Sequence, residues 1–366
     1  MNTNDLVKQL TAKKKPMPNI SPDTFLSSGS AIVNCSITNN PFCAFEMGKY
    51  YFFVGDSMSG KTYFAMNILA EAAGNDQFDD YSFYHNNKED GALMDIAKLF
   101  GEEVENRIEP PAWVLDKNED GGEVESHSQT VEEFWLDVKQ KCAAGPCIYI
   151  LDSMDSLTSI AEQKKSKEIM KAIEEDKETT GIMSDGKAKV NSMMVRQILK
   201  DLKDSGSILI IIAQTRDNLG TGFAEKTRSG GKSLRFYSTA EIWTSSVKSL
   251  KKTYKGVDRK VGSMTRFKIK KNRHTGLEST IDIPLLTGYG FDDMGSCVDF
   301  LTKTKHWKKS GNKIIGGDLG IEGTRESLIT QIEADEELLE LLHTITGEVW
   351  NQIIEATTPK RKRRYE

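Results

Sequence analysis

Gly55-Asp56-Ser57-Met58-Ser59-Gly60-Lys61-Thr62 follows an apolar run, Tyr50-Tyr51-Phe52-Phe53-Val54, and precedes Tyr63-Phe64-Ala65-Met66-Asn67-Ile68-Leu69-Ala70, whose apolar residues fall at helical spacing. The run reads as a buried parallel strand and the segment after it as a helix, so the octet occupies a strand-to-helix turn. In such a turn successive backbone N–H groups and the helix N-terminus face a polyphosphate. Lys61 would neutralise the β- and γ-phosphates and Thr62 would hold Mg²⁺. Gly55 to Thr62 is therefore expected to bind ATP or GTP. A glycine turn that merely contains a lysine needs neither flank.

The chain has 366 residues, 38% hydrophobic and 28% charged, which suits one large α/β domain with appendages or two domains. No apolar run approaches a membrane span, and the polar start MNTNDLVKQL lacks the apolar segment of a signal peptide. The expectation is a protein that meets no membrane and stays in the cytoplasm where it is made. Cys35, Cys43, Cys142, Cys147 and Cys297 show no zinc-ribbon spacing and read as reduced thiols. The net charge is −5, yet between Lys248 and Arg273 eleven basic residues face one acid, Asp258. That basic segment is either a solvated hairpin or a surface for a polyanion.

Apolar runs alternate with helical patterns from about Phe45 to Leu286: Tyr50–Val54, Tyr81–Tyr84, Cys147–Leu151, Ile208–Ala213, Glu241–Thr244, Phe267–Ile269 and Ile281–Leu285. The first four, separated by helical lengths, imply a mostly parallel sheet, and the closely spaced last ones an antiparallel edge. Residues 1–30, with Lys13-Lys14-Lys15 and a Pro-containing linker, read as an arm. Residues 31–288 read as the core, and 289–366 as a small C-terminal α+β unit with a basic tail. The charged stretch Glu162–Thr180 is either an exposed helix or an insertion.

Cys147-Ile148-Tyr149-Ile150-Leu151 ends in Asp152-Ser153. An acid at that strand end is where nucleotide hydrolases place the carboxylate that supports Mg²⁺, although a helix cap has the same form. Hydrolysis also needs a carboxylate to orient water. Glu89, after the second strand, is the candidate, with Asn87 and Asp90 as competitors. Ile208–Ala213 ends at Gln214, an amide placed to sense a γ-phosphate and pass its presence to Thr215-Arg216-Asp217 and the long glycine-rich segment beyond. In that segment Phe223 lies among Lys226, Arg228, Lys232 and Arg235, a composition that suits a stretched nucleic-acid strand.

From about Ser27 to about Gly317 these motifs resemble, in order, the RecA family, both bacterial RecA and the UvsX-type recombinases of bacteriophages. Gly55–Thr62 resembles its phosphate loop and Ile150-Leu151-Asp152-Ser153 its metal-binding strand end. Gln214-Thr215-Arg216 resembles its Gln-x-Arg switch, and Gly230-Gly231-Lys232-Ser233-Leu234-Arg235-Phe236-Tyr237 the end of its second DNA-binding loop. Thr265–Arg273 is similar to the stretch that ends in Lys-Asn-Lys. The resemblance implies an α/β fold with a RecA-like P-loop NTPase core, an N-terminal oligomerisation arm, and ATP with Mg²⁺ bound between protomers of a filament. It also implies that Lys271 and Arg273 act on the neighbour's ATP, and that Arg216, Phe223, Lys226, Arg228, Gly230, Gly231, Lys232 and Arg235 meet DNA. Gly181–Gly186 resembles the first DNA-binding loop less closely.

The implied activity is homologous pairing and strand exchange on single-stranded DNA, with homologous duplex DNA as second partner, single-strand-binding and mediator proteins as further ones, and a bacterial or phage-infected cytoplasm as the setting. The chain departs from the family in places. His85-Asn86-Asn87-Lys88 intervenes before the water-orienting acid, leaving Asn87 against Glu89, and the spacing back from Leu99-Phe100-Gly101 favours Glu89. No Tyr stands near Ile96 to stack on adenine, Asp155 adds a carboxylate beside Asp152, and the tail is basic where the family's is acidic. A RecA-fold helicase-like motor and a non-catalytic recombinase paralogue or loader are the alternatives. The second-loop resemblance speaks against the first, and the weak water-orienting position keeps the second open.

Overall fold

The computed structural model describes residues 21–88, 94–109, 114–117, 123–126, 128–175, 186–217, 226–228 and 230–361. In chain order the strands of the main sheet are β1 (Tyr50–Gly55), β2 (Ser82–Asn87), β3 (Ile108–Glu109), β4 (Cys147–Asp152), β5 (Ile208–Asp217), β6 (Lys226–Arg228), β7 (Ala240–Tyr254), β8 (Val257–Asn272), β9 (Ser279–Leu286) and β10 (Gly290–Phe291). The helices used below are α1 (Ala31–Thr38), α2 (Lys61–Ala73), α3 (Val131–Ala144), α4 (Ile160–Glu174), α5 (Gly186–Ser205), α6 (Lys232–Tyr237), α7 (Asp293–Lys303), α8 (Arg325–Glu333) and α9 (Glu336–Thr357). The sheet order is β10-β9-β8-β7-β1-β5-β4-β2-β3, with β6 paired to β5. From β7 across to β3 the neighbours are parallel, and from β7 to β10 they are antiparallel. This is a mixed α/β fold on a mostly parallel sheet.

Continuous apolar runs form the centre because both faces are covered. In β1, Tyr51 and Phe53 enter one core with Phe64, Ile68 and Leu69 of α2. Tyr50, Phe52 and Val54 enter the other, with Phe134, Trp135 and Val138 of α3 and Val195 and Ile198 of α5. β4 and β5 divide in the same alternation, Ile150 and Ile210 to the first core, Tyr149 and Leu209 to the second. α3 begins at a capping box in which Thr130 Oγ1 accepts from Glu133 N–H while the Glu133 carboxylate accepts from Thr130 N–H.

Several boundaries differ from the sequence reading. β2 runs to Asn87, three residues past Tyr84, because it keeps its parallel register with β4 as far as Asn87 opposite Asp152. β7 and β8 extend far beyond Glu241–Thr244 and Phe267–Ile269. Their distal residues, 251–260, are exposed and pair only with each other in the described structure. The stretch Glu162–Thr180 falls, as far as Glu174, in α4, none of whose residues is buried, and residues 176–180 lie outside the described residues. Phe25 and Leu26, assigned to an arm, are buried and pair with Phe45–Glu46, since two adjacent apolar residues gain more by joining the sheet face than by staying in water. Residues 1–20 and the tail beyond 361 lie outside the described residues.

A third core joins Cys297, Val298 and Leu301 of α7, Leu328 and Ile332 of α8, and Leu342 and Ile345 of α9 to Ala31 and Ile32 of α1. The start of the region read as the ATPase core therefore shares apolar packing with the C-terminal elements. All five cysteines are buried and none forms a disulfide. No helix among the described residues is long and apolar enough to cross a membrane. At the seam Asp293 accepts from Ala31 N–H at 2.9 Å and from His343 Nε2 at 2.7 Å. Burial alone would push the His343 imidazole down, but the hydrogen bond and charge of Asp293, with Glu71 and Glu340, outweigh it and hold the ring above its ordinary value. The stabilisation from this pair is therefore complete below the unfolded imidazole value of about 6.5 and is lost as pH rises through the raised folded value. Melting temperatures compared from about pH 6 to about pH 9 should fall more steeply for the wild type than for His343→Gln, the difference isolating this proton.

Candidate functional site

The loop Gly55–Thr62 is shaped by close approach as well as by glycine freedom. Gly55 lies in register with Gln214 of β5 on one side and Thr244 of β7 on the other. A Cβ at Gly55 would meet Thr244 Oγ1 at 2.4 Å, Thr244 O at 2.5 Å and Ser59 Oγ at 2.7 Å. The Ser59 and Thr244 hydroxyls are themselves 2.7 Å apart, folding the loop back against β7. Gly60, at φ 87°, then turns the chain into α2, whose first hydrogen bond runs from Phe64 N–H to Gly60 O at 2.9 Å. Met58 has φ 57° and is exposed.

Around this turn the polar side chains converge. Lys61, 8% exposed, donates from Nζ to the carbonyls of Gly55 at 3.0 Å and Asp56 at 2.7 Å. Thr62 Oγ1 donates to Asp152 Oδ2 at 2.5 Å. These residues with Ser57, Gln214 and Leu285 line a cavity of ≈ 260 Å³. A hydroxyl beside a carboxylate is a hard-oxygen donor pair suited to Mg²⁺, and a lysine beside a helix N-terminus suits a polyphosphate. The residues present fit both groups. Asn87, one of the alternatives for orienting water, pairs in register with Asp152; Glu89 and Asp90 lie outside the described residues. Ile96 packs against the first core. Tyr63 of α2 lines the cavity instead and contacts Phe100 at 4.7 Å between ring centroids.

Asp155, which the sequence placed only as a second acid beside Asp152, binds the C-terminal part of β5. Its carboxylate accepts from Gln214 N–H at 2.6 Å and pairs with Arg216 at 3.3 Å. Asp56 accepts from the Thr215 hydroxyl. Two carboxylates thus pin Gln214, Thr215 and Arg216, one of them from the phosphate loop itself. Neither contact has a local sequence signal, since each joins residues far apart in the chain.

Beyond Gln214, β5 continues to Asp217 and meets β6 in an antiparallel pair, Lys226 opposite Asp217 and Arg228 opposite Thr215. The glycine-rich segment is thus closed at its base by a ladder. Phe223 lies outside the described residues, and only the backbone of Lys226 is described. Gly230 and Gly231 have φ 84° and 85° and lead into α6, where Lys232 and Arg235 sit. A Cβ at Gly230 would meet Leu234 Cδ1 at 2.4 Å. Lys271 Nζ donates to the carbonyls of Arg235, Phe236 and Ser238 at 2.6, 2.7 and 2.6 Å, and Arg273 Nη2 to Phe236 O at 2.6 Å. Both cations cap the C-terminal end of α6. Burial, then the neighbouring Arg273 charge, brings the Lys271 ammonium down to about 8.

The basic segment forms the exposed end of the β7–β8 hairpin, with Lys248, Lys251, Lys252, Lys255, Arg259 and Lys260 in water and the Tyr254 ring beside Lys255. Nearer the sheet, Arg266 is spent on both oxygens of Asp282, at 2.7 and 2.8 Å.

A family profile described as RecA N-terminal domain matches residues 150–292, the span that carries Asp152, Gln214, the loop base and the hairpin. Curated relatives include the Protein RecA of Chlorobium chlorochromatii (strain CaD3), 24% identical over 298 residues, 79% of this chain and 72% of the relative. The Protein RecA of Chlorobaculum tepidum is 24% identical over 311 residues, 83% and 77%. The chain is thus similar to RecA proteins over most of its length. Over a shorter stretch the chain is 30% identical to the Protein RecA of Nocardia farcinica, 156 residues covering 41% of the chain and 44% of the relative.

The close fit at Gly55 gives a direct expectation. Gly55→Ala should lower the unfolding free energy by about 1–3 kcal/mol, read as a lower denaturant midpoint, because the Thr244 and Ser59 atoms leave no room for a methyl group. Gly317→Ala, with nothing within 4 Å of its Cβ, should leave the midpoint in place. Equal midpoints for both variants would contradict the packing described for the loop.

Proposed function

We propose that this chain is an ATP-dependent DNA strand-exchange protein that assembles into filaments on single-stranded DNA and turns over ATP at protomer interfaces. The observation that carries this reading is the course of β5: one continuous strand places Gln214 in the phosphate cavity and, three residues on, Asp217 at the base of the glycine-rich loop. A change at the cavity therefore has a covalent route of three residues to the loop.

ATP with Mg²⁺ supplies binding energy that favours the DNA-holding state, and its hydrolysis ends that state. Gly55, Asp56, Ser57, Met58, Ser59 and Gly60 cradle the phosphates. Lys61 leaves its carbonyl acceptors for them, and Thr62 and Asp152 hold the metal. Glu89 orients the attacking water. Gln214 reads the γ-phosphate, and Lys271 and Arg273 of one protomer approach the nucleotide of the next. Arg216, Phe223, Lys226, Arg228, Gly230, Gly231, Lys232 and Arg235 hold the single strand, which is then offered to a homologous duplex. The exposed hairpin lysines add a sequence-independent attraction for phosphates. Single-strand-binding and mediator proteins would act as accessory partners.

Joint-molecule formation between a labelled single strand and a homologous supercoiled duplex tests the reading. Pairing is expected with ATP and with a non-hydrolysable analogue, and not with heterologous DNA. Single-strand-stimulated turnover without any pairing would replace strand exchange by a motor or accessory role. Glu89→Gln should abolish turnover while sparing ATP binding; unchanged turnover would remove that assignment. The Lys271 charge is lost as pH rises through about 8, so DNA-stimulated turnover should decline over that range. Lys271→Arg, which stays protonated, should move the decline to higher pH.

A further inference from the structure

Glu241 is a carboxylate with no solvent exposure, placed on β7 directly opposite Lys271 of β8. Its Oε1 lies 2.9 Å from Arg228 Nε and its Oε2 3.1 Å from Arg235 Nε. Arg228 comes from β6, the return strand of the glycine-rich segment, and Arg235 from α6, beyond Gly230 and Gly231. One acid therefore ties the two segments on either side of the Gly-Gly turn. The same α6 offers its terminal carbonyls to Lys271 and Arg273. The carboxylate oxygens and Arg228 Nε, though close, are not aligned as hydrogen-bond partners. The contacts are thus charge pairs without directional locking, and a better-aligned anion can compete for the two arginines.

A charge this deeply buried is costly unless paired, and removing it would leave Arg228, Arg235 and Lys271 facing one another. Burial, foremost, lowers the Arg228 value, while Glu241 raises it. Glu241 is thus what makes a guanidinium tolerable at that depth. With the carboxylate in place, α6 is held over Lys271 and Arg273. When phosphates of a strand draw Arg228 and Arg235 away, α6 and the two cations that cap it are released together.

Resting on the strand-exchange reading above, we propose that Glu241 is a positioning residue. It holds Arg228 and Arg235 until single-strand phosphates take them, and through α6 it couples occupancy of the loop to the placement of Lys271 and Arg273. It touches neither nucleotide nor DNA itself.

The test uses the full chain with Glu241→Gln, which keeps the shape and removes the charge. Two quantities are read: affinity for a fluorescein-labelled thymidine oligonucleotide without nucleotide, and ATP turnover at saturating oligonucleotide. The freed arginines should tighten nucleotide-free binding by about tenfold, the worth of roughly one charge-assisted contact. Lost coupling should lower DNA-stimulated turnover by about tenfold. A purely structural role lowers both quantities together, so parallel losses overturn the proposal, as do two unchanged values. Glu241→Asp, which retracts the carboxylate without removing it, should show the same opposed shifts at about threefold, and decides the matter if the Gln variant does not fold. A wild-type protein with no single-strand-stimulated turnover would instead fail the strand-exchange reading, and the coupling role with it.

Discussion

The structure depends on the burial of β1, β4 and β5 on both faces. Parallel strands whose side chains all point into protein can present polar groups only at their ends, and because they run the same way those ends lie together. Gly55, Asp152 and Gln214 are the terminal or near-terminal residues of the three strands. That Asp152 and Gln214 meet at one cavity, beside the loop that Gly55 opens, follows from two apolar layers lying above and below the sheet. β7 packs against the start of the loop from the side and leaves Gly55 no room for a side chain.

The parts of this arrangement visible in the sequence are those with local signals. Three apolar runs and an octet with glycines at fixed offsets suffice to place the sheet centre and the loop. The hairpin arms were read too short because Lys248–Tyr254 and Val257–Lys260 lack an apolar alternation, having no face to bury. β6 was not foreseen, since Lys-Thr-Arg carries no strand pattern and is held by its ladder to β5. Phe25 and Leu26 were grouped with polar neighbours, yet pairing with Phe45 draws them inward.

The charged groups divide the same way. Lys61, Thr62 and Asp152 sit in motifs and were legible as candidates. Asp155, Asp56 and Glu241 act across separations of 59, 159 and, toward Arg228, thirteen positions, and no spacing rule connects them to their partners. All three hold neighbouring protein groups. Asp155 and Asp56 hold the strand end that leaves the cavity, and Glu241 holds the base of the loop that follows. The chain thus surrounds the Gly55–Thr62 loop and β5 with anionic fasteners whose partners are backbone N–H, hydroxyl and cationic groups.

The five cysteines have a consequence for how the molecule comes apart. Cys142 and Cys147 lie in the second core, Cys297 in the third, and Cys35 and Cys43 in and just after α1. None can react with a bulky thiol reagent until its own layer opens. The order in which they become labelled is therefore a built-in clock of local unfolding, and it reports whether the C-terminal elements and α1 peel away as one cooperative unit before the sheet itself yields.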